Sequence, residues 1–265
     1  MPKDDVIELV EKIAASRKYR SLYPKTIERV VNDCLLKYDK NEVEKRARNL
    51  LHQIWGAYYG RRPNFKKLLE HFEDDIKSGR SVEESVLPIL CLQSSTKERI
   101  PILDDFYSRI FSITGTPKLI IDSACGLNPL TFFWMKLPED SKYIGFDIDK
   151  DQVVFLTSIF KFLGNKQVSL GLGDVLVDNF IPADVVFMLK LLPSLEQQKK
   201  GAGLKVIEEQ RCRYLVVSYP IRSLSGKQKG MADFYTNQFY GLIKTKPWRV
   251  EKLMFATELV LVIEK

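Results

Sequence analysis

The chain predicts a helical N-terminal segment followed by an α/β domain whose mostly parallel sheet ends in an antiparallel hairpin. Three observations carry this. Apolar residues recur at three- and four-residue spacing up to about residue 112. Short β-rich runs then alternate with helical patterns. Finally, "RVEKLMFATELVLVIEK" holds two strand-like runs with no helix between them. With 265 residues, 45% of them apolar, the chain has material for a sizeable core. We divide it into a helical unit, 1–112, and a sheet unit, 113–265.

The elements follow in order. Val6, Leu9, Val10 and Ile13 mark a first helix, and Ile27, Val30, Val31, Leu35 and Tyr38 a second, with Pro24 at its start. Val43, Ala47, Leu50, Leu51, Ile54 and Tyr58 mark a third. Asn64 is placed to cap the next helix, and Ser81 with Glu84 forms a capping-box pattern for another. A helix near 98–112 closes the unit. After "TGTP" come five strand-like runs: "KLIIDS", "KYIGFDI", "QVSLGLGD", "ADVVFMLKL" and "RYLVVSYP". The turn "SACGLN" after the first leads into a helix start. "DQVVFLTSIFKFLG" and "PSLEQQKKGAGLKVIEEQ" are the helical patterns between later strands. That alternation implies parallel strands with right-handed crossovers.

Composition excludes several classes. Cys34, Cys91, Cys125 and Cys212 form no C-x-x-C pair and only two histidines occur, so neither a metal site nor a disulfide framework is expected. Scattered free thiols suit a reducing cytoplasm. The N-terminus lacks the apolar core of a signal peptide, and no run approaches the length of a membrane span, so a cytoplasmic chain without membrane association is expected. The net charge of +7 favours a polyanionic partner. A monomer is expected, because the far edge of the sheet shows no apolar patch.

Open α/β sheets bind ligands at the carboxyl ends of their strands. Here three successive strand ends carry an acid: Asp122, Asp147 and Asp174. Each alone reads as turn or capping chemistry. Together they point to a nucleoside cofactor, with Asp147 accepting from ribose hydroxyls and Asp174 from an adenine amino group, Val175 packing on the ring. A dinucleotide needs backbone amides for its pyrophosphate, and the G-x-G-x-x-G fingerprint that makes room for it is absent, with only Gly126 present. S-adenosylmethionine has no phosphate and carries positive charge at sulfur, which acids tolerate. The sheet unit therefore reads as a class I S-adenosylmethionine-dependent methyltransferase domain, Rossmann-like, with seven strands and a terminal antiparallel hairpin. S-adenosylhomocysteine is the expected product.

The substrate leaves fainter marks. No N/D/S-P-P-Y/F motif follows the fourth strand, where "KLLPS" stands instead. Neither Cys125 nor Cys212 is placed as the nucleophile that pyrimidine C5 methylation needs. A ring nitrogen such as guanine N7 attacks the methyl directly and needs no base, so alignment and desolvation suffice. Basic groups occur at Arg17, Lys18 and Arg20, at Lys45 and Arg48, and at Arg61, Arg62, Lys66 and Lys67. They are candidate RNA contacts, though each cluster alone reads as a solvated face. The loop "SYPIRSLSGKQKGMADFY" puts Tyr219, Arg222, Lys227, Lys229, Met231 and Tyr235 beside the expected cofactor mouth, as candidates to hold a target base.

With "SRKYRSLYP", "LHQIWGAYYG", "SSTKER", "DSACGLNP", "GFDID", "GDVL", "KLLPSLEQQ" and "SYPIRSLSGKQKGM" in order, the chain resembles the aminoglycoside-resistance 16S rRNA methyltransferases of the Arm/Rmt type. The resemblance covers nearly the whole chain. It implies methylation of N7 of guanine-1405 in 16S rRNA, on assembled 30S subunits, with the helical unit docking on the ribosome. It also implies cofactor contacts by Tyr58, Ser94, Ser95, Arg99, Ala124, Asp147, Asp174, Val175, Leu189 and Gln198, with Arg99 pairing the cofactor carboxylate. Read without the family, "STKER" is a helix start with Thr96 as cap and Arg99 exposed. Gln93 stands where the family commonly has histidine, and an amide keeps a hydrogen bond there. Two alternatives stay open: action on another rRNA position such as an A-site adenine N1, or a non-catalytic ribosome-binding factor with the same fold.

Overall fold

The computed structural model describes residues 3–56, 62–221 and 230–265. Its helical half begins with α1 (Lys3–Ala15), α2 (Pro24–Leu35) and α3 (Val43–Leu51), the last running into a π-helical turn, His52–Gly56. Proline at the start of α2 costs nothing, since the first amides of a helix have no internal acceptor. α4 (Phe65–Lys77) is capped by Asn64, whose side chain accepts from the Lys67 amide. α5 (Val82–Leu90) has the reciprocal Ser81/Glu84 box. The expected helix near 98–112 is two pieces, α6 (Ser94–Arg99) and α7 (Leu103–Thr114), joined by a 3-10 turn around Pro101. Pro101 removes one amide donor from the helical ladder at this junction.

The sheet is the one expected. β1 (Leu119–Ser123), β2 (Lys142–Asp147), β3 (Val168–Leu172), β4 (Ala183–Leu189) and β5 (Cys212–Pro220) run parallel. β6 (Arg249–Met254) and β7 (Glu258–Glu264) form the antiparallel hairpin. The strand order is β3-β2-β1-β4-β5-β7-β6, so the order reverses between β1 and β4. That reversal opens a crevice at the strand ends, where ligands bind in such sheets.

Three crossovers differ from expectation. The turn after β1 opens a 3-10 run, Asn128–Trp134, rather than an α-helix. α8 (Lys150–Phe162) is as expected, but the next helical pattern splits into α9 (Leu192–Gln198) and α10 (Ala202–Glu209). The split falls where Lys199 is extended and Gly201 is left-handed at φ 82°, a conformation glycine adopts without steric cost. The stretch read as a loop after β5 instead runs into α11 (Met231–Ile243), which starts after Gly230 at φ 87°. Met231 and Tyr235 therefore sit on a helix.

Packing does not follow the boundary at residue 112. Residues such as Phe72, Val86, Phe106, Tyr107 and Ile110 share one core with Ile120, Tyr143, Phe187 and Val260 of the sheet. They cover the face that the missing helix after β1 would cover. α9, α10 and α11 pack on the opposite face. A further core lies within residues 13–54, including Ile13, Tyr19, Ile27, Val31, Ala47 and Leu51. The structure thus holds a small three-helix unit seated on a larger body.

Candidate active site

A pocket opens at the ends of β1, β2 and β4. Its floor is the turn after β1. Ala124 and Gly126 are both left-handed, at φ 57° and 53°. For alanine that conformation is strained, and such strain gathers at functional sites. Gly126 is required twice over, since a Cβ there would come within 2.6 Å of Gln93 Oε1. The turn's amides are already committed. Cys125 N–H donates to Phe146 O, Gly126 N–H to Asp147 Oδ2, Leu127 N–H to Gln93 Oε1 and Asn128 N–H to Cys125 O. A pyrophosphate needs such amides free, so this turn does not fit a dinucleotide. It fits a cofactor held by acceptors rather than donors.

Those acceptors are the acids. Asp147, whose carboxylate takes amides of Gly126 and Asp149, lines the pocket. Burial pushes its pKa up to about 6, the backbone donors pulling against it. Asp174 and Val175 line the adjoining wall, with Leu189 and Gln198 opposite. Asp174 is not an open acceptor, however. Thr26 Oγ1 donates to its Oδ2 at 2.8 Å, Arg29 Nε at 3.1 Å, and Leu176 N–H donates to Oδ1.

Beneath the turn lies a buried polar chain. Tyr143 and Asn128 donate to Asp122, Asn128 Oδ1 accepts from Arg99 Nη1 at 2.7 Å, and Arg99 grips Glu258 through Nε and Nη2. Arg99 is 1% exposed and Glu258 fully buried. This corrects the expectation of an exposed Arg99 and of Thr96 as helix cap: the Thr96 hydroxyl donates to the carbonyls of Leu90 and Gln93. Burial alone would raise Glu258; Arg99 and Lys190 hold it below the usual carboxylate range. Burial lifts Asp122 to about 6. Asp122 therefore lies under the pocket floor as part of its support, more than as a contact surface.

Lys190, just past β4, is left-handed at φ 56° and lines the pocket. Its ammonium pairs with Glu98 at 2.6 Å and approaches Glu258 at 3.6 Å. Ser95 lines the pocket too, whereas Ser94 is exposed outside it. Gln93 is buried, accepting from Leu127 N–H and donating to Gln152. A neutral imidazole also offers one acceptor and one donor, the same two roles that Gln93 fills here.

Other expected residues are placed differently. Tyr219 is 3% exposed and stacked on Tyr235 with ring centroids 4.6 Å apart. It belongs to the core between β5 and α11 and offers no face to a base, because the alternation of β5 turns it inward. The exposed aromatic nearby is Phe234, at 60%. Burial raises the thiols of Cys125 and Cys212, the latter to about 11, so neither is a poised nucleophile. Tyr58, Arg61, Arg222, Lys227 and Lys229 lie outside the described residues. Arg17, Lys18, Arg20, Lys45, Lys66 and Lys67 are exposed. Arg48 pairs with Glu44, and Arg62 is held bidentately by Asp149, over the Trp55 ring. Arg62 is thus a structural cation and not an open phosphate contact.

Arg29, Ile54, Trp55 and Asp149 also line the pocket, and sequence reasoning did not single them out. Their neighbours are far away along the chain, and only the π-helical turn at 52–56, a feature frequent at functional sites, marks two of them in the structure. Among the described residues no group of His, Cys, Asp or Glu could hold a metal ion, and no helix is long and apolar enough to cross a membrane.

The chain is similar to known proteins over its whole length. It is 35% identical over 263 residues to a 16S rRNA (guanine(1405)-N(7))-methyltransferase of Frankia casuarinae, covering 96% of this chain and 92% of that one. A protein of the same description from Proteus mirabilis is 32% identical, covering 97% and 96%. Among solved structures, the 16S rRNA methyltransferase RmtF in complex with S-adenosyl-L-homocysteine superposes with a TM-score of 0.82 at 28% identity, covering 100% of this chain and 99% of that one. The family described as ribosomal RNA methyltransferase (FmrO) matches residues 15–262, and the chain belongs to that family.

Proposed function

We propose that the protein methylates N7 of guanine-1405 in 16S rRNA, using S-adenosylmethionine and releasing S-adenosylhomocysteine, and that this protects the ribosome from aminoglycosides. The observation that carries it is the pocket floor: its amides are committed to protein acceptors, and the acids Asp147 and Asp174 line the pocket beside it. When bound, the cofactor supplies an electrophilic methyl at its sulfonium. Asp147 accepts from the ribose and Asp174 from the adenine amino group, with Val175 against the ring. Arg99 spends three N–H donors on Asn128 and Glu258. A guanidinium has five, and the remainder serve the cofactor carboxylate.

Guanine N7 carries a lone pair and no proton, so this chain has only to align and dry the reacting atoms. Lys190 lines the pocket with Arg29 and Arg99, and its ammonium is held by Glu98 and the Ser95 carbonyl. A methyl on N7 removes a major-groove acceptor and adds charge. The exposed Arg17, Lys18 and Arg20 meet rRNA phosphates from the three-helix unit, and the protein acts as a monomer on the 30S subunit in the cytoplasm. The intact pocket disfavours a non-catalytic role.

The test is direct. Purified protein with S-adenosylmethionine is incubated with 30S subunits, the RNA is reduced and cleaved with aniline, and primer extension maps the product. A stop at guanine-1405 is expected; a stop elsewhere, or none, rejects the reading. Charge reversal of Arg17, Lys18 and Arg20 together should weaken 30S binding and leave cofactor affinity unchanged.

A further inference from the structure

The seam between the three-helix unit and the body carries polar contacts to two segments, the turn after β2 at 148–151 and the loop after β3; the second reaches the pocket. β3 is followed by Gly173, Asp174 and Val175, which line the pocket. Asp178 folds the loop back, accepting from the Asp174 amide at 3.1 Å. The first turns of α2 hold both acids. Lys25 donates to Asp178 at 2.7 Å, and Thr26 and Arg29 donate to Asp174. Arg29 reaches further, to Gln198 Oε1 at 3.1 Å, so one guanidinium joins the loop to α9 across the pocket. Its side chain is 14% exposed and Asp174 5%.

We propose that Arg29 and Thr26 are positioning residues for the cofactor, setting the Asp174 carboxylate and the 173–178 loop from the three-helix unit. This rests on the S-adenosylmethionine reading above and adds to it a coupling between two sites. The unit has its own core. Its seating on the body and the shape of the adenine wall are therefore one equilibrium. Coupling of this kind is reciprocal: what seats the unit tightens the cofactor, and the cofactor tightens the unit. A surface that meets RNA through Arg17, Lys18 and Arg20 lies one turn of chain from α2, so RNA docking is read at the cofactor pocket.

The alternative is that Arg29 merely stabilises the fold, and the experiment separates the two. S-adenosylhomocysteine affinity is measured by calorimetry for wild type, Arg29→Met, Asp174→Asn and the double variant, each checked for folding by circular dichroism. Arg29→Met should weaken affinity about tenfold, within the usual span of such couplings. The double variant should lose no more than Asp174→Asn alone, because Arg29 acts through that carboxylate. Equal affinity for Arg29→Met and wild type, or additive losses in the double, overturns the inference. A second measurement needs no variant: S-adenosylhomocysteine should slow amide exchange in α2 of the wild type, and unchanged exchange there also overturns it. Wild-type protein that fails to bind S-adenosylhomocysteine overturns the cofactor reading itself, and this coupling with it.

Discussion

Asp122 and Asp147 at the pocket contrast with Asp151 and Asp178 at the seam, although all four sit at or just beyond strand ends. Burial pushes the first pair up to about 6, and the donors that face them are neutral or distant. Burial pushes the second pair up as well, but Ser21 and Arg62 bring Asp151 below the ordinary range, and Lys25 does so for Asp178. The seam acids have found their partners within the chain. Asp122 is held too, by Tyr143 and Asn128 under the floor; Asp147, which lines the pocket with backbone amides on its carboxylate, is the one kept costly, the condition of a group awaiting a partner from outside.

The largest expected effect breaks the support beneath both. Arg99→Met leaves Glu258 buried with Lys190 as its remaining paired cation, and removing one member of a buried pair typically costs about 3–5 kcal/mol. Urea unfolding should show that loss. A change below 1 kcal/mol would mean the pair is dispensable.

Asp147→Asn sharpens the contrast. It should weaken S-adenosylhomocysteine binding about tenfold or more, by removing a charged acceptor. Affinity equal to that of the wild type would place Asp147 with the seam acids.

Acid separates the two pairs without mutation. The pKa of Asp147 is raised on folding from 3.8 to about 6, so its contribution to stability is present below the unfolded value and lost as pH rises through about 6. Asp151 and Asp178 are lowered, so theirs is present above the unfolded value of 3.8 and lost only as pH falls through the folded values. Cofactor affinity should therefore fall below about pH 6 while the seam is intact. Calorimetry at pH 7.5 and 5.5, with amide exchange in α2 alongside, checks both arms.

The smallest effect is at the seam's edge. Ser21→Ala removes a 2.6 Å hydrogen bond to Asp151 and should cost about 1 kcal/mol of stability without changing cofactor affinity. Equal titrations of variant and wild type with S-adenosylhomocysteine would agree with that.

What the sequence disclosed follows the same division. Asp122, Asp147 and Asp174 were legible because a strand end is marked locally, by where a β-rich run stops. Asn64 and the Ser81/Glu84 box were legible for the same reason. The seam was not: Thr26 meets Asp174 across 148 residues and Arg62 meets Asp149 across 87, and no local pattern records such a meeting. Tyr219 was misplaced because an aromatic at a strand end reads alike whether α11 covers it or not. α11 itself was hidden by the polar run before Gly230, which made the whole stretch read as loop. The separate core of residues 13–54 is likewise a fact of packing, since the helical period runs on unchanged to residue 112.

Glu258 begins β7, which enters the sheet between β5 and β6 although it is made after both. During synthesis, then, Arg99 exists for more than 150 residues before its partner emerges. Until that moment β5 has an open edge, and the support under the pocket lacks its anion. The machine that translates this chain carries the very RNA the finished protein is proposed to modify. Completion of β7 thus sets the earliest time at which a newly made molecule has a fully supported pocket.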